Sequence, residues 1–494
     1  MLPSLDPSPA AQRYLHFLTS AARPLMREPE LIPLEREPDE LEWQNRWFSG
    51  DFGRDFTTLD GAAVRVVDFG WWNHGAGPDF RDCVVEVAGV ARRGSIELDP
   101  SPRDWEAHGH AANPAYHDTV LHLFLTPCAG GRFYTRTAEN REVPQVLLDT
   151  ASCDVVSGER SAPARPGRCV QVLASLPEAR VREIMEDAAR WRLERKARRL
   201  RRVAGIHGLD QAIYQGMAEA LGYSRNKLPM SVLAQRLPLR FLQKRPADAE
   251  ALLYGVAGFL DGREADHGDD ATRAWLRGLW QSWWKYRAEL TPGTPARPIK
   301  WTLSGTRPVN HPQRRIAALW QIVVQWKSLR RLLETAAFHE QTFTARLEEL
   351  AHPYWTTHYT LAAKPSPSPL ALLGAQRVRD ILANLVYPLL IPEREELWAR
   401  YLKLPAPVES TRTTVAGLRL FGSAERAAKF SAKLWHHQAL LQIYEDFCLA
   451  DAAGCEGCPF PEQSAARFTA GEANPPGADG CPGESSAPAA GDGR

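Results

Sequence analysis

The chain has no run of eighteen apolar residues, so no segment reads as a membrane-spanning helix. Met1 to Arg23 lacks the charged start, long apolar centre and small-residue cleavage site of a secretory leader. An excess of either charge is also missing. Sixty Lys and Arg stand against 59 Asp and Glu, which excludes a globally basic nucleic-acid coat and leaves only a local basic face open. Cysteine is scarce, with eight in 494 residues. Cys83, Cys128, Cys153 and Cys169 are scattered singly, Cys448, Cys455 and Cys458 form a tight group, and Cys481 follows near the end. That distribution argues against a disulfide framework and for reduced thiols or a bound metal. The expectation is a soluble, cytoplasmic protein with no membrane partner.

What is present is enough apolar residue, 44% of the chain, to bury a large core and to build more than one domain. Residues 1–37 read as a helical extension. From 38 to 150 the pattern is α+β: a helix over Asp39–Phe48 precedes short apolar or alternating runs at Ala63–Phe69, Cys83–Val87, Arg92–Leu98, Val120–Leu125 and Gln145–Leu148. Turn residues such as Leu59-Asp60-Gly61 and Ala88-Gly89-Val90 separate them. A stretch rich in Ser, Pro and Gly within 151–175 reads as a linker, and 176–460 as a mostly α-helical domain. Its helices are expected at, among others, Pro177–Val203, Asp210–Leu221, Met230–Leu237, Ala271–Leu290, Pro312–Trp326 and Ala424–Phe447, with most tryptophans serving as core. Residues 461–494, poor in large apolar side chains, read as a disordered tail.

Three groups of residues carry chemistry. The densest runs from Gly77 to His122 and holds Asp79, Glu97, Asp99, His108, His110 and His122 on strand ends and turns. Acids are depleted in strands, so their recurrence there suggests a purpose. Asp99, His108 and His110 suit a zinc or manganese ion. The bland alternatives are a turn acid at Asp79, a solvated face at Glu97 and Asp99, capping roles for His108 and His110, and a core histidine at His122. The second group is basic: from Arg190 to Arg202 eight Lys and Arg face one acid, Glu194. Arg195, Arg198, Arg199 and Arg202 are candidates for phosphate contacts to DNA or RNA, or else for ion pairs with acids elsewhere in the fold. Arg307-Pro308-Val309-Asn310 is a further candidate anion contact ahead of a helix. The third group is Cys448-x6-Cys455-x2-Cys458, whose spacing suits zinc or an iron–sulfur cluster. Cys169, His436, His437 and Cys481 are candidates for the fourth ligand.

Several motifs occur together and in order: Leu41-Glu42-Trp43-Gln44-Asn45-Arg46-Trp47, Gly77-Pro78-Asp79-Phe80, Gly94-Ser95-Ile96-Glu97-Leu98, Trp105, His108-Gly109-His110 and Leu121-His122. Leu221-Gly222-Tyr223 with Asn226, Asn384 with Pro388, and the ending Tyr444 to Cys458 follow. Taken together the chain resembles the bacterial domain of unknown function 2851 family, for which no activity is implied. A second resemblance is to the PD-(D/E)XK restriction-endonuclease-like fold. That likeness implies a nuclease-like phosphodiesterase, or a degenerate nucleic-acid-binding relative, with Mg or Mn held by Pro78-Asp79 and Glu97, and with Glu40 or Glu42 as the first-helix acid. Asp99 stands where such proteins often carry lysine; Asp99 or Glu42 then completes the shell and His108, His110 or His122 handles protons. If Gly89-Val90 is the hairpin turn, Glu97 lies opposite Asp82 and shares its face with Asp99, while Asp79 joins them only through a bulge or the Gly-Pro turn. The rival class is a non-enzymatic scaffold with a structural metal site.

Overall fold

The computed structural model describes residues 5–19, 38–150 apart from 74 and 129–132, 162–449 apart from 261–268, 291–297, 305–307, 335–337, 362 and 408–409, and 455–469. Helix α1 (Pro9–Thr19) precedes α2 (Glu40–Phe48), whose first turn is closed by Asp39 accepting the Glu42 N–H at 3.0 Å. Seven strands follow: β1 (Asp55–Thr57), β2 (Ala63–Asp68), β3 (Trp71–Trp72), β4 (Phe80–Val87), β5 (Val90–Asp99), β6 (Thr119–Phe124) and β7 (Gln145–Leu147). They form one mixed sheet in the order β1-β2-β4-β5-β6-β7, with β3 also on β4. Pairs up to β4–β5 are antiparallel, whereas β5–β6 and β6–β7 are parallel. A parallel pair needs a crossover, and the one after β5 contains the short helix α3 (Asp104–Ala107) and two 3-10 turns.

Beyond the sheet the chain is helical, beginning with α4 (Cys169–Ser175), α5 (Glu178–His207) and α6 (Leu209–Arg236). The architecture is therefore α+β, an N-terminal mixed sheet followed by a mostly helical region. Buried apolar residues of both, from Ile96 and Leu121 to Val181 and Leu440, belong to one continuous hydrophobic cluster. Between α2, α5 and α6 lies a buried polar network. Asn45 donates to Ser231 at 3.0 Å and Gln235 at 2.7 Å, Ser231 donates to Glu219 at 3.1 Å, and Arg199 grips Glu219 through two 2.6 Å bonds. No helix among the described residues is long and apolar enough to cross a membrane.

Several sequence expectations need correction. The two-residue turn of the β4–β5 hairpin is Ala88-Gly89, since Val87 pairs with Val90. Both turn residues have positive φ, 49° and 80°, the backbone that matches strand twist but is uncommon for alanine. A bulge at Arg81-Asp82, with Asp82 at φ 58°, then shifts the register so that Phe80 faces Ile96. Asp82 consequently points to solvent and pairs with Arg93 at 3.1 Å. The helices expected at Asp210–Leu221 and Met230–Leu237 run on as α6, kinked where Tyr223 has φ 55°. Ala424–Phe447 is broken into Ala424–Lys429 and Leu434–Ile443. Residues at the start of the expected tail form the helix Phe460–Thr469, held because Phe460 is buried and Arg467 pairs with Glu183 and Asp187. Most of the expected linker, and all of the tail after 469, lie outside the described residues.

The β5–β6 spacing depends on Gly94. A Cβ there would stand 2.1 Å from the Asp118 carbonyl oxygen and 2.6 Å from Val120 Cγ1. Backbone cannot swing aside as a flexible side chain does, so Gly94→Ala is expected to destabilise by about 3 kcal/mol, the upper end for overpacking. Urea unfolding of the two proteins measures it; equal midpoints would show that the strands separate freely.

Candidate metal centre

Glu97 and Asp99 are two residues apart on β5 and therefore share a face of the sheet. His122 reaches the same face from β6, where it is the registered partner of Glu97. The crossover supplies the rest. His108 ends α3, Gly109 follows in the left-handed region at φ 75°, and His110 opens the next turn, so both imidazoles approach the carboxylates.

Asp99 is the hub. Its Oδ1 stands 3.1 Å from His108 Nδ1 and 3.9 Å from His110 Nε2, and its Oδ2 stands 3.2 Å from His122 Nε2. Glu97 Oε1 lies 3.2 Å from His110 Nε2. Asp99 and His122 are fully buried, Glu97 and His110 nearly so, while 43% of the His108 side chain is exposed. Water thus reaches the group beside His108. Trp105 and Tyr116 wall it in, Tyr116 stacking on His110 with ring centres 4.1 Å apart.

The donor set fits a divalent ion. Ligand atoms of Asp99, His108 and His110 all lie within 4.8 Å of one another. Ligands at roughly 2.1 Å from one ion stand about 3.0 to 3.4 Å apart; His108 and His122 lie at 3.1 and 3.2 Å from Asp99, and His110, at 3.9 Å, would close by a small shift. Moreover, Asp99 Oδ2 and His122 Nε2 face each other while neither makes a hydrogen bond of acceptable geometry. Two such buried atoms cost about 1 to 3 kcal/mol each, and a cation beside them removes that cost. The opposite ring nitrogen, His122 Nδ1, sits 2.6 Å from Thr135 Oγ1, which accepts from Gln145 Nε2 at 2.7 Å. That contact fixes the orientation of the His122 ring against Asp99.

Asp79 adjoins the centre because of the bulge. Its N–H donates to Glu97 Oε2 at 2.8 Å, and its Oδ2 accepts from the Leu98 N–H at 3.2 Å. Both acids thus hold backbone as well as facing each other. Glu42 is engaged by Arg46 at 2.9 Å, and no described contact joins it to the centre. The arginines of α5 are turned to other tasks. Arg199 binds Glu219, Arg202 pairs with Asp51 at 3.2 Å, Arg198 lies 3.8 Å from Glu194 and over Trp191, and Arg195 donates to Gln442 at 3.4 Å. Of the four phosphate candidates, Arg199 and Arg202 pair with acids from other elements, while Arg198 pairs within its own helix and Arg195 meets an amide. Arg307 and Cys481 lie outside the described residues. Thr135, Gln145 and Tyr116 escaped sequence reasoning; a glutamine opening an apolar strand at Gln145 was the available signal.

A family profile described as Protein of unknown function (DUF2851) matches residues 40–400. The chain belongs to that family. No curated protein and no solved structure matches it. The DUF2851 match takes in Asp99, His108, His110, His122 and Cys169, and ends before Cys448, Cys455 and Cys458.

Proposed function

We propose that this DUF2851 protein is a metal-dependent phosphodiester hydrolase acting on nucleic acid, with Mn2+ or Zn2+ held by Asp99, His108 and His110. The convergence of one buried carboxylate and two imidazoles within 4.8 Å carries this reading. Mixed nitrogen and oxygen donors favour these ions over Mg2+, which prefers oxygen alone. Such an ion, when bound, polarises a phosphoryl oxygen and makes hydroxide available near neutral pH. The chain's own residues do the positioning. Glu97 orients His110, Thr135 fixes the His122 ring, Asp79 locks the Glu97 strand end, and Trp105 with Tyr116 keeps water from the inner side. Placement of Asp79 and Glu97 at adjoining strand ends of a mixed sheet supports the likeness to PD-(D/E)XK nucleases. One observation favours a second reading, a non-enzymatic scaffold with a structural ion: Asp79 and Glu97 already accept backbone N–H groups.

Hydrolysis of single- and double-stranded DNA and RNA, with each metal and with a chelator, separates the two. Cleavage with Mn2+ should exceed that with Mg2+ by about tenfold, consistent with the donor preference. It should vanish with chelator and in His110→Ala. Tight metal binding without cleavage of any diester selects the scaffold, and no metal binding removes both.

A further inference from the structure

Far along the chain from the sheet, four cysteines meet. Cys169 opens α4, Cys448 ends the π-turn Tyr444–Cys448, and Cys455 and Cys458 lie on the segment before Phe460. All four are buried and line one small cavity together with Arg419 and Phe447. Gly167 brings two of them close. The point where its Cβ would sit is 3.3 Å from Cys169 Sγ and 3.4 Å from Cys455 Sγ, so a larger residue would fill the space between them. Among the candidate fourth ligands, His436 accepts the Lys433 N–H through Nδ1 and His437 Nε2 contacts the Ser431 carbonyl at 3.0 Å, and neither lines the cavity of the thiols. Cys169 does.

Arg419 makes the chemistry specific. It is 1% exposed, and among the described residues no carboxylate pairs with it. Its Nη2 lies 2.6 Å from Cys455 Sγ, its Nη1 donates to the Pro163 carbonyl at 2.9 Å, and its Nε has no hydrogen-bond partner. A buried guanidinium favours negative charge on the sulfurs beside it. A bound metal makes thiolates of the cysteines by replacing the thiol protons. Spacing selects which metal. Sulfurs around one zinc ion, with bonds of roughly 2.3 Å, stand less than about 4 Å apart. Among the described residues, no three cysteine sulfurs lie within 4.8 Å of one another. A cluster that binds each thiolate at its own iron accommodates the wider set.

We propose that Cys169, Cys448, Cys455 and Cys458 bind a four-iron, four-sulfide cluster whose net negative charge is compensated by Arg419. The thiols bind as thiolates and release their protons to solvent. The cluster ties the start of the helical region to its far end, where Cys455 at φ 82° and the π-turn at Cys448 hold sulfurs in place. Arg168, next to Cys169, reinforces the link by donating to the Cys455 carbonyl at 3.2 Å and to the Glu456 carbonyl at 3.0 Å.

The test is composition of the full chain, produced with added iron and purified without oxygen. Brown protein is expected, with iron and acid-labile sulfide near four per chain and visible absorption that bleaches with dithionite. Cys455→Ala and Cys458→Ala should each lower iron and sulfide at least fivefold, whereas Cys128→Ser and Asp99→Asn should retain both. One zinc without sulfide would overturn the cluster, as would wild-type protein that is folded by circular dichroism and takes up no iron on reconstitution. Because Asp99→Asn is scored here for iron and sulfide and not for hydrolysis, failure of the hydrolase reading leaves this result intact.

Discussion

Asp99→Asn is expected to fold normally and to bind Mn2+ at least about a hundredfold more weakly than the wild type, the upper end of losses around metal sites. The amide preserves shape and volume in a fully buried position, so packing changes little. It removes the charge that opposes the cation, and replaces one acceptor oxygen with an N–H2 donor where Asp99 meets His108, His110 and His122. Calorimetric titration with Mn2+ near neutral pH measures the difference. Thr135→Val, which removes the hydroxyl that holds both the His122 ring and the Gln145 amide, should weaken binding by about tenfold. Equal affinity in all three proteins would mean that the carboxylate and imidazoles form a hydrogen-bonded core and no metal centre.

Arg199→Ala should destabilise the chain by about 3 to 5 kcal/mol, the cost of leaving a buried charge without its partner. Its partner Glu219 is only 7% exposed and receives two 2.6 Å bonds from the guanidinium. Lys227, 3.8 Å from Glu219, compensates in part. The same pair makes stability depend on pH. Burial pushes the Glu219 carboxyl up, but the charge and hydrogen bonds of Arg199 outweigh it and hold the group at about 2, below its usual 4.5. A folded value below the unfolded one gives stabilisation that is complete above pH 4.5 and is lost as the pH falls toward 2. Over that span the contribution is about 3 kcal/mol. Urea unfolding of wild type and Glu219→Gln should therefore differ most near neutral pH and converge in acid. A gap independent of pH would show that Glu219 is not ionised by Arg199.

The elements were readable because period and punctuation are local. Ala63–Asp68, Phe80–Val87, Val90–Asp99, Thr119–Phe124 and Gln145–Leu147 fall within a few residues of the runs that alternation and turn residues mark out. Helix α2 was legible to within one residue, Asp39 proving to be its cap and not its first turn. Register was not. It turned on Ala88 taking a positive φ and on a bulge at Asp82, neither of which side-chain type dictates. With the shift, Asp79 moves beside Glu97, and Asp82 goes out to Arg93.

The charged helix shows the same division. That Arg190 to Arg202 is basic is a property of the chain; that Arg192, Arg199 and Arg202 meet Glu445, Glu219 and Asp51 depends on what folds against it. Sequence by itself determined the order of elements, the α+β class and the residue types with ligating power, since these follow from short-range sterics and side-chain chemistry. Tertiary structure alone decided which of them converge. Asp99 with three histidines, and Cys169 with three cysteines nearly three hundred residues later, are brought together by burial and strand register, and neither is encoded at any single position.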